Sequence, residues 1–212
     1  MINPKYITHV REPFFQVALD YIKSESKVLD IGAGNGSFAK YCKREDFYLY
    51  DGNEESVKLL KGNFPNSYFG KLPELPFEDQ FFDLIHCSHV IEHLQPKELY
   101  DSLVQMNRVL KPNGYLVIST PLLWEGFYND LSHIKPYGPF VLEKYLCGAH
   151  LENLTRKPVS VNYSIERLEF RYLDAPKETW FNQNKDFFGR IVMSLNYRLR
   201  KRGLRKLVKT GY

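Results

Sequence analysis

Val28-Leu29-Asp30-Ile31-Gly32-Ala33-Gly34-Asn35-Gly36-Ser37-Phe38 is the stretch that decides the fold. An apolar strand, a glycine-rich turn and a helix start follow one another without a spacer, the local form of a nucleotide-binding turn. Gly32 permits the tight bend, Gly34 lets the backbone approach a ligand with no Cβ in the way, and Gly36 allows close packing of helix against strand. The spacing is G-x-G-x-G and not G-x-G-x-x-G, which speaks against a dinucleotide such as NAD or FAD. Asp51 ends the next apolar run roughly twenty residues past the first glycine, where an acidic side chain can accept hydrogen bonds from both ribose hydroxyls. The plainer alternative is a tight strand-to-helix turn with Asp30 and Asp51 as turn carboxylates.

Outward from this turn, short β-branched or aromatic runs alternate with segments of helical period. Lys27 to Ile31, Phe47 to Asp51, Ser67 to Gly70, Phe82 to Cys87 and Tyr115 to Ser119 read as strands. Pro13 to Ile22, Gly36 to Lys43, Glu54 to Lys61, Lys97 to Val109 and Gly138 to Cys147 read as helices. Such alternation predicts an α/β fold with a mostly parallel sheet and helices on both faces. Pro96 suits the first turn of the fourth helix, and Lys111-Pro112-Asn113-Gly114 supplies the turn that stops it. Pro121 to Pro139 lacks a period and reads as a long loop over the carboxyl edge of the sheet, a length usually reserved for function or disorder. Val159 to Tyr163 and Glu169 to Tyr172 read as late strands, giving the sheet an antiparallel final strand.

The 212 residues carry 43% apolar and 25% charged side chains, the balance of a globular domain, and a net charge of +4 that demands no nucleic-acid partner. Residues 1–185 read as one catalytic domain, and 186–212 as a basic amphipathic segment with no acidic residue beyond Asp186. Cys42, Cys87 and Cys147 are odd in number and lack metal-ligand spacing, so neither a disulfide framework nor a zinc site is expected. Met1 to Arg11 lacks the apolar region of a secretory signal, and no apolar run reaches membrane-spanning length. The expected location is cytoplasmic, with peripheral membrane contact as the furthest departure from it.

Further blocks extend the pattern: Leu75-Pro76-Phe77, Phe82-Asp83-Leu84-Ile85, His89-Val90-Ile91-Glu92-His93-Leu94 and Arg108-Val109-Leu110-Lys111-Pro112-Asn113-Gly114. With the glycine turn, in this order and spacing, the chain from Val28 to Leu154 resembles the class I S-adenosylmethionine-dependent methyltransferases, in particular small single-domain members. The resemblance implies a Rossmann-like fold and S-adenosyl-L-methionine as cofactor. It further implies that Asp30, Gly32, Gly34 and Gly36 cradle the methionine part, that Asp51 holds the ribose, and that Ser88 lies near the transferred methyl. Relatives often carry an acidic residue for the adenine amino group just before the Leu-Pro-Phe block, where this chain has Lys71-Leu72. A lysine cannot accept that hydrogen bond, which leaves adenine to Leu72 and backbone groups.

Methyl transfer from a sulfonium is a direct displacement, and a hydroxyl acceptor must also lose a proton. Candidate bases cluster at the fourth strand as His86, His89 and His93, with Glu92 between them, and His133 from the aromatic loop can fold over the same pocket. The segment His133-Ile134-Lys135-Pro136-Tyr137 resembles one found in small-molecule and glycan methyltransferases, which favours His133 as a base alongside His93. A second reading takes His89, Glu92 and His93, at i, i+3 and i+4, with His133 as ligands of a divalent metal. That set resembles the Glu-x-x-Glu-His motif of metal-dependent O-methyltransferases, with His89 in place of the first Glu. A third reading has Glu92-His93-Leu94 merely capping and orienting a helix. Trp124, Phe127, Tyr128, His133, Tyr137 and Phe140 can wall an apolar acceptor pocket or form a satellite cluster under the loop.

The leading expectation is O-methylation of a small molecule or a glycan, including a lipid-linked one, with the basic C-terminus as a peripheral membrane contact. The alternatives are a metal-assisted RNA 2′-O-methyltransferase and a catalytically silent S-adenosylmethionine-binding interaction module. Nucleic-acid binding stands behind membrane contact, because no RNA-binding module accompanies the basic segment.

Overall fold

The computed structural model describes residues 10–171 save 125, 150 and 154, together with 5 and 8. By compactness the chain divides into Phe14–Arg167 and a second unit drawn from Met1–Pro13 and Leu168–Tyr212. Within the second unit, Arg171 Nε donates to the Thr8 carbonyl at 2.8 Å. The expected boundary between residues 185 and 186, and the basic segment after it, lie outside the described residues.

Five strands form the sheet: β1 (Val28–Ile31), β2 (Tyr48–Asp51), β3 (Ser67–Phe69), β4 (Phe82–Ser88) and β5 (Leu110–Ser119). Their order is β3-β2-β1-β4-β5, and every pairing is parallel. The helices are α1 (Glu12–Leu19), α2 (Ser37–Cys42), α3 (Glu54–Leu60), α4 (Pro96–Val109) and α5 (Pro139–Leu142), the last continuing as a wide π-type turn over Glu143–Cys147. Strand order reverses between β1 and β4, so the loops after these two strands part to opposite sides and leave a crevice at their carboxyl ends.

Both faces of the sheet are covered, which is why its strands read as continuous apolar runs. Leu29, Ile31, Ile85 and Cys87 face a layer in which Leu99, Leu103 and Met106 of α4 are buried. Val28, Leu49 and Leu84 face the opposite layer, with Phe15 and Ala18 of α1, Phe38 and Ala39 of α2, and Leu60 of α3. Local signals set the helix starts. Asn53 caps α3 by accepting from the Glu55 and Ser56 amides at 2.9 and 3.2 Å. Glu98 reaches back to the Gln95 amide at 2.7 Å as α4 begins at Pro96. Arg108 closes α4 and ties two of the sequence blocks together, donating to the carbonyls of Leu75 and Phe77 at 2.8 Å each and to Asp79 at 2.7 Å.

Two expectations need correction. Strand β5 begins at Leu110, opposite Phe82, and regains register at Tyr115 opposite Leu84, so Lys111–Gly114 forms a bulge within the strand. Val159 to Tyr163 is not a strand. The amides of Val159 and Ser160 both donate to the Tyr145 carbonyl, at 2.8 and 3.1 Å, because the end of a helical turn offers unpaired carbonyls closer than any sheet edge. Residues 169–171 have no regular structure, and Tyr172 lies outside the described residues. No helix among the described residues is long and apolar enough to cross a membrane.

Candidate active site

The glycine turn sits on the crevice, pinned from below. The amides of Gly32 and Ala33 donate to the Tyr50 carbonyl at 2.8 and 3.3 Å. Gly32 adopts φ 72°, and a Cβ there would stand 2.2 Å from Val90 Cγ2, so the turn after β1 rests directly against the turn after β4. Gly34 adopts φ 55° and has no heavy atom within 4 Å of its Cβ position, so its backbone borders open space. Gly36 packs elsewhere than expected: a Cβ there would stand 2.9 Å from Leu60 and 3.0 Å from Phe64, in the α3 region. Asp51 ends β2 with its carboxylate at the same place, Oδ2 accepting from the Gly34 amide at 2.7 Å and Oδ1 from Asn53 at 2.8 Å. Each oxygen keeps a second lone pair for a ligand hydroxyl.

Asp30 is not open to the crevice. It is 3% exposed and turned toward the α1 and α2 layer, where Oδ1 meets Nδ1 of His86 at 2.7 Å. Strand alternation is the cause: Leu29 and Ile31 take the α4 face, so Asp30 takes the other. His86, its register partner on β4, is equally buried and stacks on the Phe38 ring at 3.9 Å between centroids. This removes His86 from the candidate bases and makes Asp30 a support beneath the turn. The same carboxylate raises its neighbour Cys42, whose thiol burial and this charge together push up to about 12.

Ser88, half-buried, ends β4 in register with Ser119. His89 follows at φ 56°, its amide held by the Ser119 carbonyl at 2.8 Å, and the short turn Ile91–His93 comes next. Glu92 is fully buried; its carbonyl accepts from the amides of Ile134 and Lys135 at 2.8 and 3.2 Å, which draws the long loop onto the cluster. As a result His133 lies beside His93, with ring centroids 5.0 Å apart. His93 Nδ1 is 3.0 Å from the Ser132 carbonyl and His133 Nδ1 is 2.7 Å from the Phe127 carbonyl. A carbonyl can only accept, so each ring carries a proton on Nδ1, and in the neutral ring Nε2 is the atom that offers a lone pair. Glu92 Oε2 is 3.4 Å from the Thr120 hydroxyl, while Oε1 has no hydrogen-bond partner among the described residues. His89 Nδ1 lies 3.3 Å from that oxygen, close enough for ionic attraction yet not aligned as a hydrogen bond.

The remaining expected residues divide. Leu72 is half-buried against the core and Lys71 is exposed beside Gly52. Of the expected pocket walls, Phe127 and Tyr137 are buried anchors of the loop, Tyr137 donating to the Leu94 carbonyl at 2.9 Å. Trp124, Tyr128 and Phe140 are exposed instead. Sequence reasoning missed Asp130, whose Oδ2 is 3.9 Å from His133 Nε2, and Thr120, which follows β5 directly. Bonds from the hydroxyl and amide of Ser132 hold the Asp130 carboxyl below its usual range. The only sequence signal for either was position: a loop carboxylate three residues before a candidate base, and a hydroxyl at the carboxyl end of a strand.

The turn and Asp51 fit S-adenosylmethionine: open backbone at Gly34 for the amino-acid part and a charged acceptor for the ribose hydroxyls. Comparison with known proteins agrees. A family model described as a methyltransferase domain matches residues 5–177. An uncharacterised methyltransferase of Schizosaccharomyces pombe is 33% identical over 115 residues, 46% of this chain and 41% of that one. A ubiquinone/menaquinone biosynthesis C-methyltransferase of Cupriavidus metallidurans is 29% identical over 133 residues, 56% of this chain and 54% of that one. The chain thus spans about half the length of the curated relatives it matches. A solved S-adenosylmethionine-dependent methyltransferase from Archaeoglobus fulgidus superimposes with a TM-score of 0.54 at 31% identity, over 62% of this chain and 63% of that one. With the crevice at the strand reversal, the open glycine turn and the matched family all in agreement, the chain belongs to the class I S-adenosylmethionine-dependent methyltransferase domains.

Proposed function

We propose that this chain methylates an oxygen atom of a small molecule or a glycan, with the cluster after β4 taking the hydroxyl proton. One observation carries the reading: beyond β4, on the turn whose Val90 meets Gly32, backbone carbonyls fix the Nδ1 atoms of two neighbouring imidazoles and leave their Nε2 atoms to face a ligand. S-adenosylmethionine supplies an electrophilic methyl on a sulfonium sulfur: the new oxygen–carbon bond replaces the carbon–sulfur bond, and one proton is released. His133 or His93 accepts that proton through Nε2 in the metal-free protein, and a fixed imidazole loses no orientational freedom in doing so. Asp51 and Gly34 hold the cofactor, and Ser88 borders the methyl. Acceptors of this kind reach the site from the cytoplasm or, for a lipid-linked glycan, from a membrane surface contacted by the basic segment 186–212.

Isotopically labelled S-adenosylmethionine with a panel of phenols, sugars, glycolipids and short RNA ends tests this, product mass spectrometry locating the methyl. The expected label is on oxygen of a small molecule or glycan, and His133→Asn lowers kcat by about 10²-fold or more. A methyl delivered to carbon or nitrogen, or chiefly to RNA, overturns the acceptor assignment.

A further inference from the structure

Glu92 presents a physical problem that the methyltransferase reading leaves unsolved. Its side chain is 0% exposed, and Oε1 is a buried carboxylate oxygen without a hydrogen-bond partner among the described residues. A buried carboxylate oxygen without a hydrogen bond is costly, and with only His89 at 3.3 Å and a long bond from Thr120 among the described residues the group is weakly compensated; buried charges are retained where they are well paired or coordinate a metal. Near the carboxylate are two further electron-pair donors. One donor atom each of Glu92, His93 and His133 lies within 4.8 Å of the other two.

We propose that Glu92, His93 and His133 bind a divalent transition-metal cation at the carboxyl end of β4. Two neutral imidazoles and one carboxylate suit such a cation and leave coordination positions open. The outer contacts are those of a ligand set. Each imidazole gives its Nδ1 proton to a backbone carbonyl, Ser132 for His93 and Phe127 for His133, which fixes the ring and raises the basicity of Nε2. Asp130, with Oδ2 at 3.9 Å from His133 Nε2, adds a second negative charge beside the three. The Glu92 carbonyl bonds to Ile134 and Lys135 hold the loop donor against the strand donors. Bonds of about 2.1 Å set neighbouring ligands about 3.0 to 3.4 Å apart, so the three side chains draw inward on binding. His89 stays outside this set, with its Nδ1 at 3.3 Å from the Glu92 carboxylate.

The proposal deepens the oxygen-methylation reading, giving the hydroxyl a Lewis acid in place of an imidazole base, but binding rests on these side chains alone. With both Nε2 atoms engaged, the cation would lower the hydroxyl pKa, and the proton would leave to water.

The test uses the full, tag-free chain, stripped with a chelator and titrated by calorimetry with Mn(II), Co(II) and Zn(II), with the visible spectrum of bound Co(II) as a second readout. One equivalent binds, and Co(II) shows imidazole-type ligand-field bands. Glu92→Gln and His133→Asn each weaken binding by about 10-fold to 100-fold. Where Glu92→Gln does not fold, as judged by circular dichroism, His133→Asn and His93→Asn decide. No stoichiometric binding, or binding of equal affinity in the variants, overturns the proposal. The titration needs no acceptor, so its failure is separate from failure of the acceptor screen.

Discussion

Replacing Asp51 tests the cofactor site most directly. Its carboxylate accepts two short bonds from the protein, Gly34 at 2.7 Å and Asn53 at 2.8 Å, and has two lone pairs left for the ribose hydroxyls. Hydrogen bonds to a charged group contribute about 1.5 to 3 kcal/mol each. The site is half-exposed, so the lower figure applies. Two lost bonds then cost about 3 kcal/mol of binding, or about 10²-fold in Kd. Asp51→Asn keeps one acceptor oxygen but turns an N–H₂ toward the other donor, and loses about 10-fold. Calorimetry with S-adenosylhomocysteine reads both values, and urea unfolding of the same samples separates a binding loss from a folding loss. Ala binding within about threefold of wild type, on a folded variant, refutes the assignment of Asp51 and with it the orientation of the cofactor in the crevice.

The two glycines of the turn separate stability from binding. Gly32→Ala combines a left-handed backbone with a Cβ only 2.2 Å from Val90 Cγ2, and costs about 2 to 4 kcal/mol in urea unfolding. Gly34→Ala meets open space, costs only about 1 to 2 kcal/mol of backbone strain, and loses S-adenosylhomocysteine affinity by at least about 10-fold. Equal effects on stability and binding in the two variants contradict this division. Thiol chemistry probes Asp30 separately. A Cys42 thiol pushed up from 9.0 to about 12 leaves its thiolate fraction about 10³-fold below that of an ordinary thiol near pH 8, so alkylation is slow and accelerates as pH rises. Asp30→Asn removes a negative charge, lowers that pKa and speeds the reaction. Native Cys42 alkylated as fast as a free cysteine contradicts its burial, and an unchanged rate in Asp30→Asn contradicts the placement of that carboxylate beside it.

Local chemistry made part of the molecule legible in the sequence. The glycine turn with Asp51 was readable because its parts lie at the ends of consecutive strands, and β2 delivers Asp51 to Gly34 by simple adjacency. The start of α4 was readable because Pro96 suits a first helical turn, and the structure adds the bond that the Gln95 amide donates to Glu98. Three features depended on contacts that no local signal encodes. Both faces of a parallel sheet are apolar, so nothing in the run Val28–Ile31 showed which way Asp30 points; the helices packed on each face, and His86 across from it on β4, settled that. The loop aromatics were alike in sequence, yet only Phe127 and Tyr137 found room in the core. The histidines were visible as candidates, but the meeting of His133 with Glu92 and His93 depends on two amides of the long loop bonding to the Glu92 carbonyl. Spacing along the chain determined the parallel sheet and the turn, because those follow from neighbours in sequence, and the resemblance of the ordered blocks implied the cofactor; the tertiary structure alone decided which polar side chains are buried together, because that follows from packing between segments far apart in sequence.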